Sequence, residues 1–381
     1  MGTWLRVGSG ALAVTVGLTL TGGPAFAAAG WNVVPTPAPQ PNSNETLNAV
    51  AALTDSSAWA VGTTFTPPDA NFLSARPLAL RWNGTAWQRS TLPAVTANTA
   101  LFGVGTSSGS DAWAVGKETA SGYQNGKPVT LHWNGIGWAA VTPPVALGFL
   151  TGVADLAPDN AYAVGTLGRT SPRIEHWDGH QWGTVTIPSA DPANPGGTGH
   201  LNAISAHGAG DIWAVGSFST IAGNQIESGA YGLHWNGTAW TPAIMPGPAT
   251  GTATGVVTLA PNNAWAVVNS SGAGGESLIE HWNGTAWSIA FTLAAINYPH
   301  FGGVAARSAT DVWVVGDILT GVTTPTPVRQ TLTWHLTASG FVVVGTPAGG
   351  STLSGAASAG QRVWAIGTSN TNTSFALSRT D

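Results

Sequence analysis

Leu80-Arg81-Trp82-Asn83-Gly84-Thr85-Ala86-Trp87 decides the fold, because it returns over residues 131–138, 233–240 and 280–287 and, blurred, over 175–182. A second signature lies upstream of each copy: Trp59-Ala60-Val61-Gly62 in the first unit, Trp113-Ala114-Val115-Gly116 in the next. Its aromatic falls at Trp59, Trp113, Tyr162, Trp213, Trp265, Trp313 and Trp364, at intervals of 48 to 54 residues. A period near 50 is that of a propeller blade of about four strands.

Each unit divides alike. It opens on small and aliphatic residues, as in Leu47-Asn48-Ala49-Val50-Ala51-Ala52, which suit an innermost strand crowded at an axis. A turn follows, such as Asp55-Ser56-Ser57 or Pro261-Asn262-Asn263, built of residues that fix φ or bond their own backbone. The Trp-Ala-Val-Gly run is the second strand. The third ends in the first Trp of the opening motif, Asn-Gly makes a hairpin in which both residues tolerate positive φ, and the fourth begins at the second Trp. Six units are complete. The seventh stops after its third strand, at 375–378, while Gly30-Trp31-Asn32-Val33-Val34-Pro35-Thr36-Pro37 matches the fourth strand of an ordinary unit. The expectation is an all-β, seven-bladed β-propeller of four-stranded antiparallel blades. Its N-terminal strand completes the last blade, which removes an edge open to aggregation. Residues 28–381 then form this single domain.

Residues 1–27 read as a secretion signal: Arg6, an apolar core over 11–20, and Ala25-Phe26-Ala27 before the cut. The apolar run breaks at Gly22-Gly23-Pro24, short of the roughly 20 residues that a spanning helix needs. The expected product is extracellular, with no membrane attachment after cleavage. The formal net charge is −5, and removing Arg6 makes it one unit more negative, so nucleic acid is a poor partner. Only 8% of residues are charged, against about 25% in ordinary domains. With no Cys, disulfides and thiolate metal sites are excluded, and stability must come from packing and sheet hydrogen bonds.

Beyond Trp4, the Trp residues fall at three repeat positions. Strand two holds six, strand three holds Trp82, Trp133, Trp177, Trp235, Trp282 and Trp334, and strand four holds Trp31, Trp87, Trp138, Trp182, Trp240 and Trp287, with Phe341 substituting. Recurrence in every unit marks them as blade packing rather than sugar platforms. His132, His176, His234 and His281 share another position, held elsewhere by Arg81, Thr333 and Ser378. On third strands such His would stand roughly 15 Å apart, too far to share a metal. A hydrogen bond across the blade interface is expected instead. Asn83-Gly84-Thr85 and its copies match a glycosylation sequon, but the hairpin already explains them.

The units resemble the kelch repeat of galactose oxidase-like seven-bladed propellers. The parts that match are Ala58-Trp59-Ala60-Val61-Gly62, the loop from Thr63, Leu80 to Trp82, Asn83-Gly84, Trp87 and Pro93. The pattern is similar also to Trp-rich secreted bacterial propellers. The family's copper chemistry needs a Cys–Tyr crosslink, which a chain without Cys cannot make. No Ser-x-Asp-x-Gly-x-Trp box of the sialidase kind is present either.

Turns after strands one and three are short and alike, whereas the connections after strands two and four vary and emerge together on one face. Variable loops on a rigid frame are where function concentrates. Phe72, Tyr123, Lys127, Asp191, His200, Glu227, Tyr298, His300 and Asp317 are the candidate ligand-binding residues there. Aromatic planes beside amides and carboxylates suit carbohydrate. The expected function is non-catalytic binding of a glycan or another cell-surface polymer, with no cofactor, no metal and no catalytic residue assigned. A carbohydrate-active enzyme (glycosidase or lyase) is the alternative. It needs two converging carboxyl groups, drawn from Asp69, Asp191, Glu227 and Asp317. A scaffold for protein partners is a third reading.

Overall fold

Seven sheets stand around one axis in a computed structural model of the chain. The structure describes residues 30–380 except 68–73, 95–97, 120–125, 145–146, 169, 190–196, 223–224, 271–274, 295–297 and 321–327, together with the backbone of Thr15–Val16. The signal-peptide reading therefore lies outside the described residues apart from those two, which pair parallel with Thr292 and Leu293 on the edge of blade five. The inner strands are Asn44–Thr54, Thr99–Ser108, Gly148–Ala157, Thr198–Gly208, Gly251–Ala260, His300–Ser308 and Gly350–Ala359. Each leads outward through antiparallel neighbours in chain order. Blade seven alone departs from that order: its outer strand is Asn32–Val33, paired with Ser378 and Leu377. The seven-bladed propeller and its closure by the N-terminal segment are as the repeat implies.

Every inner strand slips register to its neighbour at two places, one of which falls at an equivalent residue in all seven: Asn48, Phe102, Thr151, Asn202, Thr254, Gly302 or Ser354. A bulge of this kind bends the strand and re-aims the extra side chain. Here it tethers one blade to the next. Asn48 Nδ2 donates to the Leu101 carbonyl at 2.7 Å, Thr151 Oγ1 to Leu201 at 2.8 Å, Asn202 Nδ2 to Ala253 at 2.9 Å and Thr254 Oγ1 to Phe301 at 3.1 Å. Gly302 has no room for a side chain, since a Cβ would lie 1.9 Å from the Leu353 carbonyl.

The indoles join the outer parts of the blades. Trp113 sits 4.9 Å from Trp177 and 4.8 Å from Trp182 of the next blade, near edge-on. Trp59 meets Trp133 and Trp138 in the same way, Trp213 meets Trp282 and Trp287, and Trp364 meets Trp82 and Trp87. Such edge-to-face pairs contribute beyond the area they bury. Blade six corrects the alignment of its third strand. Leu336, not Trp334, pairs with Phe341 as Trp133 pairs with Trp138. Trp334 lies two residues further in, fully buried 4.7 Å from Phe301. Matching Trp to Trp misplaced it; the spacing to the following hairpin gives the true register.

The same shift moves the shared histidine position from Thr333 to His335, which pairs with Trp313. Five His then occupy it, and their bond is not across the interface. His132 Nε2 donates to Asp111 Oδ1 at 2.6 Å, His234 to Asp211 at 2.8 Å, His335 to Asp311 at 3.0 Å, His176 to Asn160 at 3.0 Å and His281 to Asn263 at 3.1 Å. Each partner begins the second strand of the same blade. The imidazole is thereby held flat on the second-strand aromatic, as His335 on Trp313 at 4.0 Å and 8°. Where His is missing, a guanidinium takes over: Arg81 lies over Trp59 and Arg362 over Trp364.

The Asn-Gly hairpins also differ from expectation. In each of them only the glycine has positive φ, 97° at Gly84 and 90–94° at Gly135, Gly237 and Gly284. Asn83 works through its side chain, whose Oδ1 accepts from the Thr85 and Ala86 amides at 3.0 and 2.9 Å. The loop is thus four residues between paired Trp82 and Trp87.

One core position carries an acid in two blades. Leu80, Leu131, Leu233 and Leu377 face the neighbouring blade at the place where blades three and five have Glu175 and Glu280. Glu280 is fully buried, and neither carboxyl oxygen has a hydrogen-bond partner among the described residues. Burial pushes its pKa well above the ordinary value of 4.5. The folded protein therefore keeps a proton that the unfolded chain releases above that pH, so stability falls as pH rises through and beyond 4.5. Glu280→Leu is expected to stabilise the protein by about 1–3 kcal/mol at pH 7, with a smaller gain at pH 4. Urea denaturation at the two pH values checks both the sign and the trend.

Candidate functional site

Antiparallel blades send the connections after second and fourth strands to one face. Phe72, Tyr123 and Asp191, with Asp69 of the carboxylate set, lie outside the described residues. Lys127 is exposed at the start of a third strand, opposite Glu118. His200 is the third residue of the inner strand of blade four; its Nδ1 is 3.3 Å from Thr166 Oγ1 on blade three, and burial lowers its pKa. Glu227 is exposed near the tip of the long hairpin Asp211–Ala222/Gln225–Trp235, whose paired Ile221 and Ile226 are 70% and 74% exposed.

Blade six is where the structure gathers the candidates. Its second strand, Asp311–Thr320, brings Asp317 beside His300, the first residue of its inner strand. Asp317 is 1% exposed, yet both its neighbours reach solvent. Arg329 Nη1 pairs with its Oδ1, and His300 Nδ1 stands 3.7 Å from Oδ2. Arg329 is diagonal to Asp317 across the hairpin, since Asp317 pairs with Thr331 and Leu319 with Arg329. Tyr298, two residues before His300, is 59% exposed at φ 45°, a backbone state uncommon for a non-glycine residue. A buried carboxylate thus ion-pairs with a guanidinium and stands near an imidazole, with an exposed phenol two residues along the chain from the imidazole. Sequence reasoning missed Arg329, although it was one of only 12 basic residues and lay inside a variable connection. Its signal was the diagonal to Asp317, legible only with the register known.

The channel on the axis is lined by three residues from each inner strand, from Asn48-Ala49-Val50 round to Ser354-Gly355-Ala356, and encloses ≈ 160 Å³. Its lining residues include no charged side chain. Glu227 and Asp317, the described members of the carboxylate set, sit on different blades, and Asp317 is already paired with Arg329. Among the described residues no group of three or more His, Cys, Asp or Glu could hold a metal ion. The opposite face has its own acidic pair at the seam of blades two and three. Asp155 Oδ2 accepts from the Ser107 amide at 3.0 Å, and Ser107 Oγ donates to Asp111 Oδ2 at 2.5 Å. Burial and the neighbouring Asp111 carboxylate push the Asp155 pKa up to about 8.

Comparison with known proteins fixes the class at the level of the fold: a seven-bladed β-propeller. No family model matches the chain, and no curated protein matches it in sequence. Among solved structures it is similar to YCF48 from Cyanidioschyzon merolae, at 17% identity and TM-score 0.57, covering 92% of this chain and 99% of that one. It is similar also to YCF48 bound to D1 peptide, at 15% identity and TM-score 0.55 over 94% and 99% of the two chains. A polysaccharide lyase of family PL25, an ulvan lyase, aligns at 10% identity and TM-score 0.51 over 93% and 94%. At these identities the likeness shows the fold alone.

Proposed function

We propose that the protein is a secreted, non-catalytic binding propeller whose loop-bearing face recognises carbohydrate on an extracellular polymer. The observation that carries this reading is the set on blade six: buried Asp317 ion-paired with exposed Arg329 and close to His300, with exposed Tyr298 two residues before His300. Directional donors and an exposed aromatic ring on one blade match a sugar's hydroxyls and its apolar ring edge. Secretion belongs to the proposal on the strength of the leader pattern over residues 1–27. Kelch-like kinship belongs to it on the pattern from Trp59 to Pro93. Propellers of similar shape serve both kinds of partner: one is seen with a peptide, another with a polymer of glucuronate and sulfated rhamnose. A protein partner is the second reading, favoured by the exposed Ile221 and Ile226 at the tip of blade four.

Tyr298→Ala and Arg329→Ala should each weaken binding on a glycan array or to cell-wall polysaccharide by about tenfold, the equivalent of one lost contact worth roughly 1.4 kcal/mol. Failure of the wild-type protein to bind any glycan or cell-wall fraction would count decisively against this reading. Binding that survives both substitutions unchanged would move it off blade six.

A further inference from the structure

We propose that the axial channel is a second binding pocket, one that takes a single neutral, polyhydroxylated ring. Its chemistry follows from the seven bulged residues. Five are Asn48, Thr151, Asn202, Thr254 and Ser354; the sixth is Gly302, and the seventh is Phe102. Four of the polar ones donate to the neighbouring blade's carbonyl. Thr254 Oγ1 also accepts from Asn269 Nδ2 at 2.9 Å and Asn48 Oδ1 from Thr46 Oγ1 at 3.4 Å, which still leaves a lone pair on each hydroxyl and amide oxygen and one N–H on each asparagine. A guest that both donates and accepts is needed to match them, which is the character of a hydroxyl group.

Charge argues the same way. None of the channel-lining residues is charged, so an ionic guest would shed water with no countercharge to replace it. An apolar guest would leave the amide and hydroxyl groups unmatched. Phe102 is the one aromatic among the seven and adds an apolar surface to the lining. An apolar ring among amides and hydroxyls suits a half-apolar molecule. The ≈ 160 Å³ of the channel is at least ten times the roughly 10–15 Å³ that one water needs, room for a sugar ring. The bulges lie within the first half of each inner strand counted from the loop-bearing face, so the pocket is nearer that face. The choice of a sugar over another polyol rests on the carbohydrate-binding reading above.

The test is calorimetric titration of the full chain with neutral hexoses and inositol, and with a uronate and an alkylamine as charged probes. Ser354→Phe adds a second ring to the channel, and Phe102→Thr installs the residue that Thr151 and Thr254 supply in blades three and five. Neutral rings should bind, with at least a tenfold loss in Ser354→Phe and a several-fold loss in Phe102→Thr. Circular dichroism establishes that each variant is folded; if Ser354→Phe is not, Phe102→Thr carries the test. Preference for the uronate or the amine overturns the assignment. So does neutral binding that both folded variants leave unchanged. Glycan-array binding that persists in Ser354→Phe, while free hexoses fail to bind the wild type, overturns the channel alone and leaves the loop-face reading standing. An empty array with hexose binding abolished by Ser354→Phe does the reverse.

Discussion

Trp31→Ala is expected to cost about 3–5 kcal/mol of stability, as for other buried Trp truncations, although the residue lies at the very start of the described ring. Trp31 is 3% exposed. Its ring meets Trp313 edge-on at 5.5 Å, and its Nε1 donates to Thr333 Oγ1 at 3.0 Å, a bond spanning 302 residues of chain. Behind it, Asn32 and Val33 pair with Ser378 and Leu377, and the Val34 amide donates to Ala376 at 2.9 Å. The segment is then locked further on. Thr36 Oγ1 donates to the Ser374 carbonyl at 3.0 Å, and Arg89, ion-paired with fully buried Glu45, donates to the Ala38 carbonyl at 3.0 Å. Loss of the indole opens the seam of blades six and seven and frees an edge strand. Urea denaturation, with limited proteolysis as a second readout, measures the loss. A change below 1 kcal/mol would mean that the ring is closed chiefly by other contacts.

Arg173→Ala should be comparably damaging, while the double change Arg173→Met with Glu175→Leu should not. Both side chains are nearly inaccessible, at 2% and 0% exposure, and they are ion-paired. The positions are apolar elsewhere: Val129 and Leu131 in blade two, Tyr231 and Leu233 in blade four. Burial already lowers the Arg173 pKa to about 10. Removing one partner strands the other charge in a packed seam and costs roughly 3–5 kcal/mol. Replacing both with the apolar residues that other blades use should be neutral or stabilising by about 1–4 kcal/mol. The same denaturation measurement on the two single variants and the double gives the coupling directly. A double variant as unstable as the singles would show that the pair specifies the packing of blades two and three.

The ring was legible in the chain because a repeat of near-constant length can bury its faces only against copies of itself. The match of Gly30–Pro37 to an ordinary fourth strand even located the closure. Legibility failed where side-chain identity was used in place of register. Trp334 looked like a strand-three Trp, and the true equivalent, Leu336, carried no aromatic signal. His335 was missed for the same reason. Glu175 and Glu280 were read as part of a motif, and only the pairing with Ala163 and Ala266 showed them standing in a core column.

The candidate site divides likewise. That variable connections share a face follows from antiparallel order alone, and Tyr298, His300 and Asp317 were picked from it. The sequence by itself determined the blade count, the closure and the indole seams, because these depend on periodicity and on large apolar side chains. The tertiary structure alone decided that Asp317 is buried, that Arg329 reaches it, and that seven bulged residues line an uncharged channel. Those facts depend on which strands lie side by side and on how far a residue sits from solvent, and both are set by through-space distances that residue order does not encode.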